Sequence, residues 1–211
     1  MKLAPPTVYI VDDDSGVRSS IRILLKSIGL AALPFPSAQE FLQSYNIEQP
    51  GCLILDIRMP GMSGLELQLE LNRRGAVIPV IFITGHGDVP MAVEAMRLGA
   101  FDFVQKPFRD QELIDRVQQA MARDAETRRD LKQDTTIRQN LEALTPRERQ
   151  VLDLMIAGQA NKVMAQSLGL SQRTVEIHRA HVMDKMHVRS LAHLVRMVID
   201  LEHSNPASAN K

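Results

Sequence analysis

Short unbroken apolar runs alternate along the first half of the chain with stretches in which apolar residues return every three or four positions. The runs are Thr7 to Val11, Ala31 to Leu33, Leu53 to Leu55, Val80 to Thr84 and Phe101 to Gln105, and each reads as a β-strand. Ala31 to Leu33 is boxed in by Pro34 and Pro36. Between the runs, Val17, Ile21, Leu24, Leu25 and Ile28 recur at helical spacing before Gly29. Ala38 to Tyr45 follows the cap candidate Ser37, Leu65 to Arg74 stops at Gly75, and Met91 to Leu98 stops at Gly99. This alternation predicts a doubly wound, five-stranded parallel sheet with helices on both faces. In such sheets the polar site residues gather at the carboxyl ends of the strands.

From Asp110 the pattern changes. Leu113, Val117, Ala120 and Met121 carry a helix forward, and a highly polar stretch, RDAETRRDLKQDTTIRQN, follows without Pro or Gly. Lacking breakers, it is read as helix, and at about 1.5 Å per residue a helix from Asp110 to Asn140 would span roughly 45 Å. After Thr145 the pattern is wholly helical. Thr145, Pro146 and Glu148 form a capping-box signature, and Val151, Leu152, Met155 and Ile156 form a stripe that stops at Gly158. Further helices run from Asn161 to Leu168, from the Ser171 cap to about Met186, and from about Ser190 to Leu201. The expected organisation is an α/β domain over residues 1–122, a helical linker over 123–143, an all-α domain over 144–203 and a disordered tail over 204–211.

Composition narrows the classes. The 211 residues are 45% hydrophobic and 24% charged, with a formal net charge of +0, so this is an ordinary globular composition. The charge is unevenly spread. Residues 1–123 carry 12 Lys/Arg against 14 Asp/Glu, whereas residues 145–200 carry 8 against 5, with four of the six histidines. A basic last third suits an anion-binding module. No run approaches the ~18 apolar residues of a membrane span, and the N-terminus has no apolar signal core. The expectation is a cytoplasmic protein without membrane contact. The single Cys52 leads into an apolar run and is read as an inert core residue.

The candidate chemistry sits at strand ends. LILDIRMPGMSG runs three aliphatic residues straight into Asp56, and VYIV runs into Asp12, Asp13 and Asp14. If the first and third strands are neighbours, these acids converge. Packed carboxylates repel unless a cation neutralises them, and an oxygen-rich set of this kind suits Mg²⁺. The fourth strand ends in Thr84 and the fifth in Lys106. Carboxylates, a hydroxyl and an ammonium at one edge fit phosphoryl transfer to a carboxylate. Asp56 would be the nucleophile, with the ion, Lys106 and Thr84 binding the phosphoryl oxygens.

VDDD, LDIRMPGMSG, ITGHG and DFVQKPF, spread over about 120 residues, together resemble the receiver domains of bacterial response regulators. The resemblance implies a flavodoxin-like receiver fold. It makes Asp56 the phospho-acceptor, and Asp12, Asp13 and the backbone carbonyl of Arg58 further ligands of Mg²⁺. Thr84 and Lys106 would bind the phosphoryl group, and Phe103 would turn inward as Thr84 shifts. Asp14 falls outside the family's acid pair. His86, two residues past Thr84, either tunes attack of water on the acyl phosphate or is a plain loop residue. A phosphatase with an aspartate nucleophile is the rival enzyme reading. It would want a second acid two residues after Asp56, where this chain has Arg58.

The C-terminal helices have helix-turn-helix spacing around Gly169. On the helix after Ser171, Val175, Val182 and Met186 should face inward with Arg179 at the edge, while Arg173, Glu176, Ile177, Ala180 and Asp184 face out. Glutamate can accept from cytosine N4, and Ile177 and Ala180 can touch thymine methyls. Lys162, Gln172, Arg173, Thr174 and Arg179 are candidates for phosphate contacts. A four-helix interaction domain is the bland alternative. The stretch LTPRERQVLDLMIAG…NKVMAQSLGLSQRTVEIHRAHVMDKM resembles LuxR-type DNA-binding domains, which assigns Glu176, Ile177 and Ala180 to base reading. The last helix, with Leu191, Leu194, Val195 and Val198, either pairs two such domains or closes its own core. Together the two halves resemble the NarL/FixJ response regulators, a group that includes regulators of styrene and related aromatic-hydrocarbon catabolism. That resemblance implies a sensor histidine kinase as phosphoryl donor, homodimerisation on phosphorylation, promoter DNA and RNA polymerase as partners, and activation of transcription. The remaining rival is a constitutive DNA-binding protein whose receiver is only a dimerisation scaffold.

Overall fold

A computed structural model of the chain describes residues 5–85 and 89–203. Its sheet comprises β1 (Thr7–Val11), β2 (Ala31–Phe35), β3 (Gly51–Asp56), β4 (Val80–Thr84) and β5 (Asp102–Gln105). All neighbours pair in parallel, in the order β2-β1-β3-β4-β5. The β2 strand runs two residues beyond the expected stop and carries Pro34 opposite Ile10. The proline is tolerated because β2 is an edge, where its missing N–H has no ladder partner to lose.

Four helices connect the strands: α1 (Ser15–Ser27), α2 (Ala38–Ser44), α3 (Gly64–Arg73) and α4 (Val89–Arg97). The alternating side chains of the central strands supply two cores. Tyr9, Val11, Leu53, Leu55 and Phe82 pack with Phe41, Leu67, Leu71 and Ala95. Val8, Ile10, Ile54, Ile81 and Ile83 point to the other face, with Ile21 and Leu25 of α1 and Leu113, Val117 and Ala120 of the helix after β5. Each fully buried aliphatic side chain contributes about 1.5–3 kcal/mol. The sheet is therefore held from both sides, which fixes the positions of its carboxyl ends.

The polar stretch is helical: α5 is one helix, Asp110–Glu142. The chain divides into two compact units between Arg129 and Asp130. Residues 123–129, inside the segment read as linker, thus group with the sheet. The second unit contains α6 (Pro146–Ile156), α7 (Asn161–Leu168), α8 (Gln172–Lys185) and α9 (Leu191–His203). Its core is built from Val151, Leu152, Met155, Met164, Val175, Val182, Met186, Leu194 and Val198, joined by Ile137 and Leu144. Thr145 caps α6 in a full capping box with Glu148, and Ser171 caps α8. Gly169, at φ 65°, takes the left-handed conformation that ends α7 and starts the turn into α8. Among the described residues no helix is long and apolar enough to cross a membrane. His86 and the tail over 204–211 lie outside the described residues.

Candidate functional site: an acidic pocket and a helix-turn-helix

The β1–β3 register pairs Val11 with Leu55, so Asp12 and Asp56, each the next residue, emerge side by side. Carboxylate oxygens of Asp12, Asp13 and Asp56 lie within 4.8 Å of one another. Asp12 is fully buried and Asp56 is 9% exposed. Lys106, just past β5, reaches both. Its Nζ donates to Asp12 Oδ2 at 2.8 Å and to Asp56 Oδ2 at 3.2 Å.

Burial pushes the Asp56 carboxyl above its ordinary pKa. The Lys106 charge opposes that rise and the neighbouring Asp12 adds to it. Burial works to lower the Lys106 ammonium, but its hydrogen bonds to Asp12 and Asp56, and the charges of those carboxylates, outweigh it and hold its pKa up. Three carboxylates thus gather beside one ammonium that bonds two of them. The set is rich in hard oxygen donors and short of positive charge, which fits a divalent ion such as Mg²⁺. Arg58 also bonds to Asp56, through its backbone N–H.

The other predicted residues fall where the edge needs them or just beside it. Thr84 is buried at the end of β4, and its Oγ1 donates to the Gly85 carbonyl at 3.3 Å. Lys106 is tied to the same place, its backbone N–H donating to Thr84 O at 2.7 Å. Phe103 is 44% exposed, beside Ala92, Val93, Met96 and Arg97 around an open groove of about 380 Å³. Asp14 is the N-cap of α1. Its Oδ1 accepts from Gly16 N and Val17 N, which lowers its pKa, and its own N–H donates to Asp12 Oδ1 at 2.8 Å.

Two supporting groups escaped the sequence reading. Arg18, one turn into α1, donates from Nη1 to the Asp12 carbonyl at 2.6 Å. No motif spacing announces such a side-chain-to-backbone bond. Gly64 opens α3 against the strand end: a Cβ there would run into the Asp56 carbonyl oxygen and Phe82 Cε1. Gly64 ends the LILDIRMPGMSG stretch, and nothing in the spacing of that stretch announces so close an approach.

In the second unit the predicted faces separate. Lys162, Gln172, Arg173, Glu176, Ile177 and Ala180 are exposed, whereas Val175, Val182 and Met186 are buried. Thr174 and Arg179 are half-buried. The Thr174 hydroxyl is already 2.8 Å from Ser171 Oγ at the cap. Ile177 is 48% exposed, an apolar side chain left in water on the face that otherwise carries Arg173 and Glu176. The α8 helix is braced from behind. Lys185 Nζ donates to Glu148 Oε2 at 2.7 Å and to the Ala143 carbonyl at 3.2 Å. The Lys185 hydrogen bond, followed by that of the Thr145 backbone, holds the Glu148 carboxyl down at about 2. In α9, Leu194 and Val198 close the core. Leu191, Ala192, Val195 and Ile199 line an open groove of about 560 Å³ on the other side.

Comparison with known proteins agrees with both halves. A family model for the response regulator receiver domain matches residues 8–118, and one for bacterial regulatory proteins of the luxR family matches residues 142–198. The chain is 50% identical to the transcriptional regulatory protein FixJ of Azorhizobium caulinodans over 192 residues, covering 91% of each. It is also 50% identical to Nodulation protein W of Bradyrhizobium diazoefficiens, over 90% of this chain and 84% of that one. Among solved structures, the response regulator StyR superposes with a TM-score of 0.86 at 47% identity, covering 93% of this chain and all of that one (100%). The chain therefore belongs to the two-component response regulators that join a receiver to a LuxR-type DNA-binding domain, and it is a phosphorylation-dependent transcriptional regulator rather than an enzyme.

Proposed function

We propose that Asp56 accepts a phosphoryl group from a sensor histidine kinase and that the acyl phosphate switches the protein to promoter binding. The observation that carries this reading is the single constellation of Asp12, Asp13 and Asp56 within 4.8 Å with the Lys106 ammonium bonded to two of them. A carboxylate oxygen of Asp56 attacks phosphorus as the P–N bond to the donor imidazole breaks, leaving a mixed anhydride on Asp56 and a neutral histidine that has taken up a proton. Asp12, Asp13, Asp56 and the Arg58 carbonyl would hold Mg²⁺, which would supply charge neutralisation for the phosphoryl oxygens. Lys106 binds one phosphoryl oxygen and Thr84 donates its hydroxyl to another. That draws Thr84 away from Gly85 and opens space into which Phe103 turns.

The consequence reaches the surface of α4 and β5, about Pro90 to Phe108, where the Phe103 groove lies, and favours a homodimer. Two copies of α8 then enter successive major grooves about 34 Å apart. In each, Glu176, Ile177 and Ala180 read bases, and Lys162, Gln172, Arg173, Thr174 and Arg179 bind phosphates. The exposed apolar strip of α9 pairs the DNA-bound copies. Moving such a switch from 1:99 to 99:1 needs about 5.5 kcal/mol of differential stabilisation. The protein works in the cytoplasm, as a receiver over 1–122 and a DNA-binding domain over 144–203, and activates transcription by engaging RNA polymerase.

Oligomeric state and DNA affinity of the purified protein with Mg²⁺, before and after a small-molecule phosphoryl donor, test this against Asp56→Asn. DNA selected from a random pool serves as the probe. Wild type should dimerise and gain affinity for a two-fold site, and Asp56→Asn should do neither. Equal binding by both, with and without donor, would mean that the receiver pocket does not control the protein.

A further inference from the structure

Within the polar stretch of α5, one pair is not what a solvated helix would carry. Asp124 is 2% exposed, and the side chain of Arg128, one turn on, is 17% exposed. Arg128 Nε donates to both Asp124 carboxylate oxygens at 2.9 Å. Its Nη1 donates to the Ile47 carbonyl and its Nη2 to the Gln49 carbonyl, both at 3.0 Å. Asp124 Oδ2 in turn accepts from the Gly51 N–H at 2.9 Å. The pair thus clasps the loop between α2 and β3, and the first residue of β3 itself. Gly51 passes so close to Thr7 that a Cβ would meet the Thr7 carbonyl oxygen, so the loop has no slack there. Burial pushes the nearby Tyr45 phenol up to about 12, against the opposing charge of the Arg128 guanidinium.

A guanidinium whose fork is shared between a buried carboxylate and two backbone carbonyls is held in one geometry. Breaking it from either side leaves a buried charge or unpaired carbonyls. The clasp lies beyond residue 118, where the receiver family match ends. It grips the amino end of β3, the strand whose carboxyl end is Asp56.

We propose that Asp124 and Arg128 form a latch that fastens the extension of α5 to the receiver, and that this rigid attachment is needed to transmit phosphorylation to the DNA-binding unit. The second clause rests on the function proposed above. With the latch closed, residues 123–129 belong to the receiver, and this stretch of α5 is held rigidly to it. With it open, the same residues become a compliant tether, and a change in the receiver is lost in it.

The test uses the full chain. Hydrogen exchange is followed in peptides covering 45–52 and 120–130 for wild type, Arg128→Met and Asp124→Asn. Arg123→Met serves as the control, because among the described residues Arg123 pairs only with the exposed Glu126 on the same helix. Arg128→Lys, which keeps the charge and loses the fork, takes the place of Arg128→Met if that variant does not fold. Phosphate on Asp56 and the donor-dependent gain in DNA affinity are measured on the same samples. Exchange in both segments should speed up about tenfold in the latch variants and not in the control. Phosphorylation should be unchanged, and the gain in DNA affinity should shrink several-fold. Exchange no faster than in the control would overturn the latch. Faster exchange with an undiminished gain would overturn its role in transmission. A wild type that shows no donor-dependent gain would instead count against the proposed function, and the exchange data would still decide whether the latch exists.

Discussion

Glu148 offers the sharpest quantitative check on the forces holding the DNA-binding unit together. Its carboxylate caps α6 through Thr145 and receives Lys185 from α8. With its pKa lowered from 4.5 to about 2, the ionised form is favoured in the folded state. At about 1.36 kcal/mol per unit, the ceiling on that contribution is roughly 3.4 kcal/mol. The Lys185 side chain is 35% exposed, so water screens part of the attraction, and about 2 kcal/mol is the working figure. Because the folded pKa is depressed, this stability is fully present above about pH 4.5 and is lost as pH falls towards 2. Glu148→Gln should therefore lower the melting temperature of residues 130–203 at pH 7 by roughly 10 °C, on the scale of 4–8 °C per kcal/mol for a domain of this size. It should also flatten the loss of stability between pH 4.5 and 2. Calorimetry of the full chain across that range gives both numbers. A variant melting within a degree or two of wild type, with an unchanged acid limb, would refute the assignment of the low pKa to a stabilising network.

Asp56→Asn carries the opposite sign. The wild-type carboxyl titrates above its usual range because it is buried, so ionising it costs the folded state stability at any pH above the unfolded value of 3.8. In Mg²⁺-free buffer the variant should unfold at higher urea than wild type at pH 7, with the difference vanishing near pH 3; a variant less stable at pH 7 would contradict this. Gly64→Ala sets about 0.5–1 kcal/mol of helix propensity gained against a clash with the Asp56 carbonyl and Phe82. The clash should win by about 1–3 kcal/mol in urea titration, and an equally stable variant would mean that the backbone relaxes freely there.

Much of this fold is legible in the sequence, for identifiable physical reasons. Val80 to Thr84 and Asn161 to Leu168 were placed to the residue because each has an unambiguous period and a clear stop. The convergence of Asp12 and Asp56 required only that β1 and β3 be adjacent. Strand β2 was cut short because Pro34 argues against a strand unless one knows that it lies at an edge, which is a property of topology. Asp124 and Arg128 were lost in the polar stretch for a related reason. Burial of a charged pair depends on backbone groups at Ile47, Gln49 and Gly51, far away in sequence, and composition cannot carry that information.

The buried acids differ in how far they are satisfied, and that difference follows the division of labour. Asp124 is enclosed by a guanidinium and a backbone N–H, and Glu148 by an ammonium and its own helix cap. Both sit where two segments must hold one geometry, and a fully bonded charge resists rearrangement. Among the described residues the Asp12, Asp13 and Asp56 cluster has the Lys106 ammonium and the backbone N–H groups of Asp14 and Arg58, and burial still holds the Asp56 carboxyl above its ordinary pKa. An under-neutralised pocket gains most from a change in its charge or its counter-ions. The sheet places that responsive site at one end of β3 and the clasp on α5 at the other. A charge change at Asp56 therefore acts on a strand whose far end is held fast.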